Sequence, residues 1–468
     1  MNRLGIWLRS SLAAAAAVVI IVMTLVAGTA SSASASTNYS GTLTDGATWT
    51  AQVPDNWNGI LLLASHGFGP PAIPPSGHLP PPIQNALLDR GYAVAGSSYD
   101  PNGSWWALES AARDQFETID AFTTAVGEEP ESILALGTSM GGLVSALMAE
   151  QGAGIIDGAL STCGLVAGAI HLNNYQLDAE YSIAKLLMPA PGPKLVDFAN
   201  PGDGAASGAA LTAAVQTAQT TPEGRARLSL VLALLNVVPV APGVSEPAPN
   251  DAAAIEAAQY ASAVQSFPVL NFVQFGRYWI ELAAGGNGSW TRGEDFAELL
   301  NHSPYHDVVR ELYRTAGLEL EADLTSLNAG ATIGADPDAI ASLEETSVPT
   351  GELEVPQLTL HTTADPLVPV QHESVYGDVV RGAGGSSLLR QAYVDHWGHC
   401  TFTPSELVAS VEALRQRVET GRWDSVAQPQ TLQASASALG LGDAAFVHYT
   451  PPALSGDNGS FDPARNGR

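Results

Sequence analysis

Short apolar runs and longer amphipathic stretches alternate along most of the chain. Six runs of six or seven residues are candidate buried strands, and most of them are almost continuously apolar, which is typical of strands covered on both faces of a sheet. These runs are residues 59–65, 92–98, 132–137, 157–162, 357–362 and 388–394. Helical patterns occur at residues 106–126, 142–150 and 404–420. The alternation predicts an α/β fold with a doubly wound, mostly parallel sheet.

The alternation stops between residues 169 and 348. Ala-rich helical stretches and turns rich in Pro and Gly replace the buried strands there. We therefore expect a mostly helical cap, inserted into a sheet domain made of residues 36–168 and 349–425. An insertion that adds only bulk is the alternative, because long inserted segments are tolerated. Residues 426–468 are rich in Gly, Ser, Pro and Ala, and we expect a loosely structured C-terminal tail.

Residues 1–35 have the pattern of a secretory signal peptide. Arg3 and Arg9 precede an apolar run over residues 12–26. Small residues follow, with cleavage patterns after Ala35 or Ala30. A membrane anchor is the alternative, but the apolar run is short for a bilayer span. We expect a secreted, extracellular protein without a stable membrane anchor.

The composition is strongly acidic, with 19 Lys and Arg against 47 Asp and Glu and a net charge of −28. The predicted signal peptide contains two of the arginines and no acidic residue, so its removal brings the net charge to −30. This charge makes nucleic acids and anionic membrane surfaces poor partners. The acidic residues are spread along the chain, which favours solubility and indicates neither a substrate nor an oligomeric state.

The candidate chemistry begins with Ser139, in the stretch GTSMGG. The chain contains 46 glycines, so a G-x-S-x-G pattern alone carries little weight. Here the predicted strand 132–137 runs directly into the motif, and small residues after Ser139 open a helix. In this strand-turn-helix context the pattern predicts a nucleophile elbow. Gly137 and Gly141 would then lie where a side chain would collide, and the serine would be exposed.

A serine hydroxyl is a weak nucleophile at neutral pH, so it needs a general base and an acid that orients the base. In doubly wound hydrolases the chain order is serine, acid, histidine, with the last two after the last strands. Asp365 follows the predicted strand 357–362 and is the candidate acid. An Asp-Pro turn at a strand end would explain it without any function.

Two histidines, His396 and His399, follow the last predicted strand. His399 lies after a glycine and is preferred as the base, although spacing hardly separates the two. His396 would then be a polar neighbour or a substrate contact. Asp395 is an alternative acid, but its adjacency in sequence makes a side-chain contact with His396 awkward.

The stretch HGFG, residues 66–69, directly follows an early predicted strand. Loops of this kind supply oxyanion-hole donors in lipases and esterases. We expect the backbone N–H groups of Phe68 and Met140 to face the developing oxyanion, each contributing roughly 3 kcal/mol. A glycine-rich strand end with His66 as a turn residue is the alternative.

Six motifs together resemble the α/β-hydrolase fold superfamily, and more narrowly secreted actinobacterial esterases and prolyl-oligopeptidase-type catalytic domains. They are HGFG, GYAVAGSSYD, GTSMGG, GALSTCG, TTADPLVP and GHCTFT, and they cover both sides of the insertion but little within it. The resemblance implies Ser139 as nucleophile, Asp365 as acid and His399 as base. It does not choose among esterases, lipases, peptidases and polyester depolymerases.

The chain has two cysteines, Cys163 and Cys400. Cys163 follows the predicted strand 157–162 and Cys400 follows the proposed base, so both belong at the carboxyl edge of the sheet. In an exported protein an isolated pair is expected to form a disulfide, which would attach the histidine loop to the sheet. Two free buried thiols are the alternative.

Two further patterns indicate structure more than function. His302 and His306 have the spacing of a metal-binding helix face, but Pro304 lies between them and no third ligand is evident. We expect a solvated loop there and no metal site. Trp105 and Trp106 open an amphipathic helix, and core packing explains at least one of them.

Together these residues predict a secreted serine hydrolase that cleaves carboxylic esters through an acyl-enzyme, with no metal or organic cofactor. The substrate would be a small-molecule or polymeric ester. A serine peptidase of prolyl-oligopeptidase-like type and a catalytically masked binding protein are the alternatives. The insertion contains no motif that indicates acyl-chain length.

Overall fold

One nine-stranded sheet organises the described part of the protein. The computed structural model describes residues 35–70, 79–100, 105–455 and 461–467. The predicted signal peptide, apart from its last residue, lies outside these ranges. The strands are β1 (Ser36–Thr42), β2 (Thr48–Pro54), β3 (Ile60–Ser65), β4 (Ala93–Ser97), β5 (Ser132–Thr138), β6 (Gly158–Thr162), β7 (Gln357–Ala364), β8 (Leu389–Trp397) and β9 (Phe446–Val447).

The order of the strands across the sheet is β1-β2-β4-β3-β5-β6-β7-β8-β9. The six central strands, from β4 to β8 in this order, run parallel to one another. The two edges are antiparallel, since β1 pairs with β2, β2 with β4, and β9 with β8. The predicted α/β fold with a mostly parallel sheet is therefore confirmed.

The helices are α1 (Pro81–Leu88), α2 (Leu108–Val126), α3 (Met140–Gln151), α4 (Gly168–Leu186), α5 (Pro201–Ala218), α6 (Pro222–Leu234), α7 (Ala252–Tyr260), α8 (Val269–Ala284), α9 (Phe296–His302), α10 (His306–Ala316), α11 (Leu320–Gly330), α12 (Pro337–Ser347), α13 (Gln371–Gly382), α14 (Pro404–Thr420) and α15 (Pro429–Leu439). A π-helical turn, Ala261–Ser266, lies between α7 and α8. Residues 163–356 are all described and contribute no strand to the sheet, because α4 to α12 occupy this stretch.

Each of the six apolar runs in the sequence forms a strand, with ends shifted by at most three residues. Strands β3 and β4 illustrate the reason, because nearly every side chain in them is buried between helices on the two faces. The apolar runs do not reveal β1, β2 and β9. In β1 every side chain is at least partly exposed, so pairing with β2 holds this strand in the sheet and burial contributes little.

The insertion buries several polar side chains beside its apolar core. Most of α4 is buried, including polar residues such as Asn173 and Glu180. Arg277 of α8 donates to Glu180 at 3.0 Å and to Ser289 at 2.9 Å, and its side chain is fully enclosed. The described residues from Ala35 onward form one compact unit. A separate cap with boundaries at 169 and 348 therefore stays a prediction.

The expectation of a loosely structured tail after residue 425 is wrong for its described residues. Leu432 and Ala436 of α15 are buried, and β9 extends the sheet. Ser455 exchanges two hydrogen bonds with the side chain of Asn236 in the insertion, at 2.8 and 2.9 Å. A segment poor in large apolar residues can thus be fixed by backbone and side-chain hydrogen bonds, which composition does not reveal.

Among the described residues, none of the helices combines the length and the apolar character needed to cross a membrane.

Candidate active site

Ser139 lies in a sharp turn between β5 and α3. Its backbone has φ 60° and ψ −122°, a strained conformation for a residue with a side chain. The two flanking glycines are required, because neither position has room for a side chain. A Cβ on Gly137 would lie 1.7 Å from the carbonyl oxygen of Gly141, and one on Gly141 would lie 2.0 Å from that of Ser65. The predicted elbow geometry is therefore present, and it arises from backbone crowding.

Three side chains from distant parts of the chain form a hydrogen-bonded row. His399 Nε2 lies 2.8 Å from Ser139 Oγ, and His399 Nδ1 lies 2.6 Å from Asp365 Oδ2. A neutral ring that carries its proton on Nδ1 satisfies both contacts, because it donates to the carboxylate and accepts from the hydroxyl. This is the arrangement needed to remove a proton from Ser139.

The carboxyl group of Asp365 is buried, and both of its oxygens accept hydrogen bonds. Its second oxygen accepts from the backbone N–H groups of Leu367 and Val368, at 2.8 and 3.0 Å. Burial by itself would raise the pKa of Asp365. The hydrogen bond with His399, the electrostatic interactions with His399 and His361, and the backbone N–H of Val368 outweigh burial and hold this pKa below its ordinary value. The carboxylate is therefore ionised at neutral pH.

The structure separates the two candidate histidines, which spacing alone could not do. His396 Nε2 lies 2.8 Å from Glu406 Oε1, and the hydrogen bond with Glu406 raises the pKa of His396. Asp395, the alternative acid, accepts a hydrogen bond from Thr363 at 3.2 Å. Both side chains have partners outside the row. His396 is thus a polar neighbour that joins β8 to the start of α14.

The HGFG loop lies directly against the elbow. A Cβ on Gly67 would lie 3.3 Å from Ser139 Cβ. His66 Nδ1–H donates to the carbonyl oxygen of Gly67 at 2.8 Å, and the His66 ring stacks on Tyr99 at 4.0 Å. Burial of the imidazole lowers the pKa of His66, which favours the neutral ring.

These contacts determine the direction of one predicted oxyanion donor. In a trans peptide the C=O and N–H groups point in opposite directions. Because His66 holds the carbonyl of Gly67, the N–H of Phe68 is fixed on the other side of that peptide. The second predicted donor, Met140, is the first residue of α3, where backbone N–H groups have no partner within the helix. The oxyanion roles of Phe68 and Met140 stay predictions.

A disulfide connects Cys163 and Cys400, with 5.3 Å between their Cα atoms. Cys400 is the neighbour of His399. Cys163 follows β6, whose last residue, Thr162, accepts the backbone N–H of Ser139 at 3.0 Å. The disulfide therefore attaches the histidine loop to the strand beside the serine.

Potential metal ligands in the described residues do not form an open site. The ligand atoms of Cys163, His399 and Cys400 lie within 4.8 Å of one another. The two sulfurs are bonded to each other, however, and offer no thiolate. His302 and His306 are placed at the end of α9 and the start of α10, and His306 Nδ1 contacts the carbonyl oxygen of Ser303 at 3.0 Å.

Beside the elbow, five partly exposed aromatic side chains form a continuous surface that we call the aromatic wall. Its members are Phe68, Trp105, Phe272, Phe275 and Trp279. The ring centroid of Phe68 lies 5.3 Å from that of Trp105, 5.7 Å from Phe272 and 6.4 Å from Phe275. Trp105 stacks on Trp279 at 5.4 Å. The wall thus joins the HGFG loop to helix α8 of the insertion.

Sequence reasoning missed the three residues of α8. Their spacing of i, i+3 and i+7 places them on one helix face, but a stripe facing the core has the same spacing. Of the two adjacent tryptophans, Trp106 is a core residue, buried and donating to Ser347 Oγ at 3.1 Å. Trp105 belongs to the aromatic wall.

No protein-family model matches the chain. The chain is 31% identical over 432 residues to an o-phthalyl amidase of Xanthobacter agilis. This match covers 86% of this chain and 91% of that protein.

Solved structures that resemble the fold include an esterase of Pyrococcus furiosus, at 11% identity, with 82% of this chain and 90% of that chain covered and a TM-score of 0.36. Candida antarctica lipase A in its closed state gives 14% identity, 86% and 85% coverage and a TM-score of 0.39. An esterase of Aspergillus oryzae gives 14% identity, 81% and 78% coverage and a TM-score of 0.39.

The strand order, the serine turn after β5 and the similarity along most of the chain agree with one another. The protein is a hydrolase of the α/β-hydrolase superfamily, and it belongs to the family of the o-phthalyl amidase of Xanthobacter agilis.

Proposed function

We propose that this hydrolase acts by acyl transfer, with Ser139 as nucleophile, His399 as general base and Asp365 as the group that orients His399. One observation carries the proposal. The imidazole of His399 lies within hydrogen-bond distance of both other side chains, and the serine among them occupies a strained backbone conformation that packing enforces.

The steps follow from the geometry. His399 Nε2 takes the proton of Ser139 as Oγ attacks the substrate carbonyl carbon, and the backbone N–H groups of Phe68 and Met140 stabilise the oxyanion. The imidazolium then protonates the leaving group, and an acyl-enzyme forms. Water, activated by the same imidazole, releases the acid and frees the serine. Asp365 stays ionised throughout and stabilises the imidazolium. These steps use side chains, backbone amides and water.

Two substrate classes are proposed, carboxylic esters and carboxamides, as small molecules or polymers. The sequence favours esters. The relative named an o-phthalyl amidase supports amides, because an amide and an ester pass through the same acyl-enzyme and differ in the group that leaves. A serine peptidase is the amide case with a peptide leaving group. A masked binding protein would retain the row of side chains without turnover.

The experiment compares 4-nitrophenyl esters of short and medium acyl chains with acyl 4-nitroanilides and peptidyl 4-nitroanilides. The S139A variant is the control in every assay. Ester turnover that S139A abolishes supports an esterase, and turnover of the acyl anilides supports an amidase. Turnover confined to peptidyl anilides indicates a peptidase. Labelling of Ser139 by a fluorophosphonate without turnover of any substrate indicates a masked site, and absence of both contradicts the proposal.

We also propose that the protein is exported. The basic and apolar pattern of residues 1–35 supports this, and so does the Cys163–Cys400 disulfide, since disulfides persist in oxidising compartments. N-terminal sequencing of protein recovered from the culture medium tests the proposal. A new N-terminus near residue 31 or 36 is expected, and an intact Met1 in cell-associated protein would contradict it.

A further inference from the structure

We propose that reduction of the Cys163–Cys400 disulfide creates an inhibitory site for a thiophilic divalent cation such as Zn²⁺ or Cd²⁺. The ligands are the two cysteine thiolates and the imidazole of His399. Binding of the cation depends on these three residues and does not require that the protein hydrolyses anything. Inhibition rests on the proposed function, in which His399 is the general base.

The three ligands lie close together before any cation binds. The sulfurs of Cys163 and Cys400 and a ring nitrogen of His399 all lie within 4.8 Å of one another. Ligand atoms in a tetrahedral zinc site are roughly 3.5 to 4 Å apart. The Cα atoms of the cysteines are 5.3 Å apart, so rotation of the two side chains brings the sulfurs to this separation after reduction. Two thiolates and one imidazole are a ligand set that zinc accepts, with water in the fourth position.

Backbone hydrogen bonds attach both cysteine-bearing segments to strand β7. The N–H of Cys163 donates to the carbonyl oxygen of Leu360 at 2.8 Å, and the N–H of Gly398, which precedes His399, donates to that of Ala364 at 3.0 Å. Neither bond involves a sulfur. The two segments therefore stay near each other when the disulfide is reduced, and the loosened histidine loop can adjust to the cation.

The disulfide is open to a reductant on one side. Cys163 is buried, but Cys400 and His399 are partly exposed. A reductant of the thiol or phosphine class supplies two electrons, the S–S bond breaks, and each sulfur takes up one proton. Binding of the cation releases these two protons and forms two metal–sulfur bonds and one metal–nitrogen bond. The two thiolates neutralise the charge of the cation, which reduces the cost of placing it in a partly buried site.

The bound cation would inhibit hydrolysis through His399. Both ring nitrogens are already used, Nδ1 with Asp365 at 2.6 Å and Nε2 with Ser139 at 2.8 Å. A cation on Nε2 removes the base from the serine, and a cation on Nδ1 separates the base from its carboxylate. Either way the row is broken. The oxidised protein offers no thiolate, so it is the active form.

The first experiment measures cation binding. The full chain is reduced with tris(2-carboxyethyl)phosphine, freed of the phosphine without oxygen and titrated with Cd²⁺, because cadmium–thiolate bonds give a charge-transfer absorption in the ultraviolet. A single Cd²⁺ per chain is expected for the reduced protein and none for the oxidised protein. Mg²⁺, which prefers oxygen ligands, should not compete.

Variants of the two histidines identify the third ligand. H399Q is expected to weaken Cd²⁺ binding by at least about tenfold while the thiolate absorption remains, because one first-shell bond is lost. H396Q is the matched control in the same loop, since His396 contacts Glu406 at 2.8 Å, and it should bind Cd²⁺ as the wild type does. The C163S/C400S double variant should show no thiolate absorption, and the oxidised wild type gives the same control if that variant does not fold.

The second experiment measures hydrolysis of a 4-nitrophenyl ester, with the rate of S139A subtracted. At a free Cd²⁺ concentration tenfold above the measured Kd, the reduced protein should lose about tenfold of its rate, because only the unbound fraction stays active. Removal of the cation by a chelator should restore the rate. The oxidised protein should be unaffected by the same Cd²⁺ concentration.

Absence of thiolate absorption in the reduced protein would overturn the proposal, and so would loss of its fold on reduction, which circular dichroism detects. Equal Cd²⁺ affinities of H399Q and wild type, or full hydrolysis with Cd²⁺ bound, would also overturn it. Failure of the proposed function looks different, because Cd²⁺ would then bind as expected while neither the oxidised nor the reduced protein hydrolyses any ester.

Discussion

The sheet and the insertion contribute to the proposed active site in different ways. The sheet holds the reacting groups through its backbone, and around Ser139 there is no space for even one extra carbon atom at Gly137 or Gly141. The insertion contributes side chains on one face of α8. At Gly276, on the same helix, an added Cβ would find its nearest neighbour, the ring of Phe68, at 4.0 Å.

We therefore assign the chemical steps to the sheet region and the selection of substrates to the insertion. Positions of reacting atoms must be correct to a fraction of an ångström, and a crowded backbone supplies that accuracy. An apolar binding surface tolerates larger adjustments, because dispersion and burial depend on area more than on direction. We therefore expect substitutions in the sheet region to abolish turnover or folding, and substitutions in α8 to alter substrate preference.

The largest effect is expected from His399→Gln. Removing the proposed base should lower kcat/KM by roughly 10⁴-fold or more, as for other residues that act as one catalytic unit. His396→Gln is the matched control in the same loop, and it should stay within about threefold of wild type. Steady-state kinetics with an activated ester measures both. If His396→Gln were the more damaging change, the assignment of the base would be wrong.

Removal of the disulfide is the next largest effect. The bond closes a loop with a sequence separation of 237 residues, so Cys163→Ala combined with Cys400→Ala should lower the free energy of unfolding by about 4 kcal/mol. Urea unfolding of the double variant against wild type measures the loss. Slower labelling of Ser139 by a fluorophosphonate is also expected, because the His399 loop is then free to move. An unchanged unfolding midpoint would contradict the anchoring role.

Gly141→Ala and Gly276→Ala sharpen the comparison with the same one-carbon change in two regions. The first places a Cβ 2.0 Å from the carbonyl oxygen of Ser65, so the backbone must shift at a cost of about 3 kcal/mol. The second removes a glycine from the middle of a helix and should stabilise it by up to about 1 kcal/mol. Thermal unfolding of the two variants measures the difference. Equal stability would mean that the elbow is less crowded than the structure indicates.

The smallest expected effect is the pH-dependent contribution of His396 to the stability of the fold. Its hydrogen bond with Glu406 raises the pKa of His396 in the folded protein, so the stabilisation is fully present below the unfolded pKa of about 6.5. It is lost as the pH rises through the folded pKa. The free energy of unfolding of the wild type should therefore exceed that of His396→Gln by about 1 kcal/mol near pH 5.5, and this difference should vanish at alkaline pH. Denaturant unfolding at several pH values measures this difference. A difference that grows at high pH would contradict the prediction.

Much of the core could be predicted because its signals are local. The run SILAL followed by GTSMGG combines a buried strand, a crowded turn and a helix start, and each part depends on neighbours in sequence. Asp365 and His399 were selected by chain order after the last strands. The same reasoning could not separate His399 from His396, since three residues of spacing do not show which imidazole points at the serine.

The edges of the sheet and the C-terminal segment could not be predicted for a different reason. Strand β1 and the contact between Ser455 and Asn236 depend on hydrogen bonds with partners far along the chain. Their residues are polar or small, so they leave no hydrophobic pattern to follow. The residues of the aromatic wall on α8 do form a hydrophobic pattern, but their spacing is the same as that of a stripe that faces the core.

The sequence by itself determined the fold class, the position of the serine turn and the set of residues from which a catalytic row could be drawn. Tertiary structure alone decided which histidine faces Ser139, which tryptophan is buried and which aromatic side chains meet beside the site. The physical reason is range. Strand burial and glycine crowding are properties of a few consecutive residues, whereas a hydrogen bond or a ring contact between residues far apart in sequence exists only after the chain has folded.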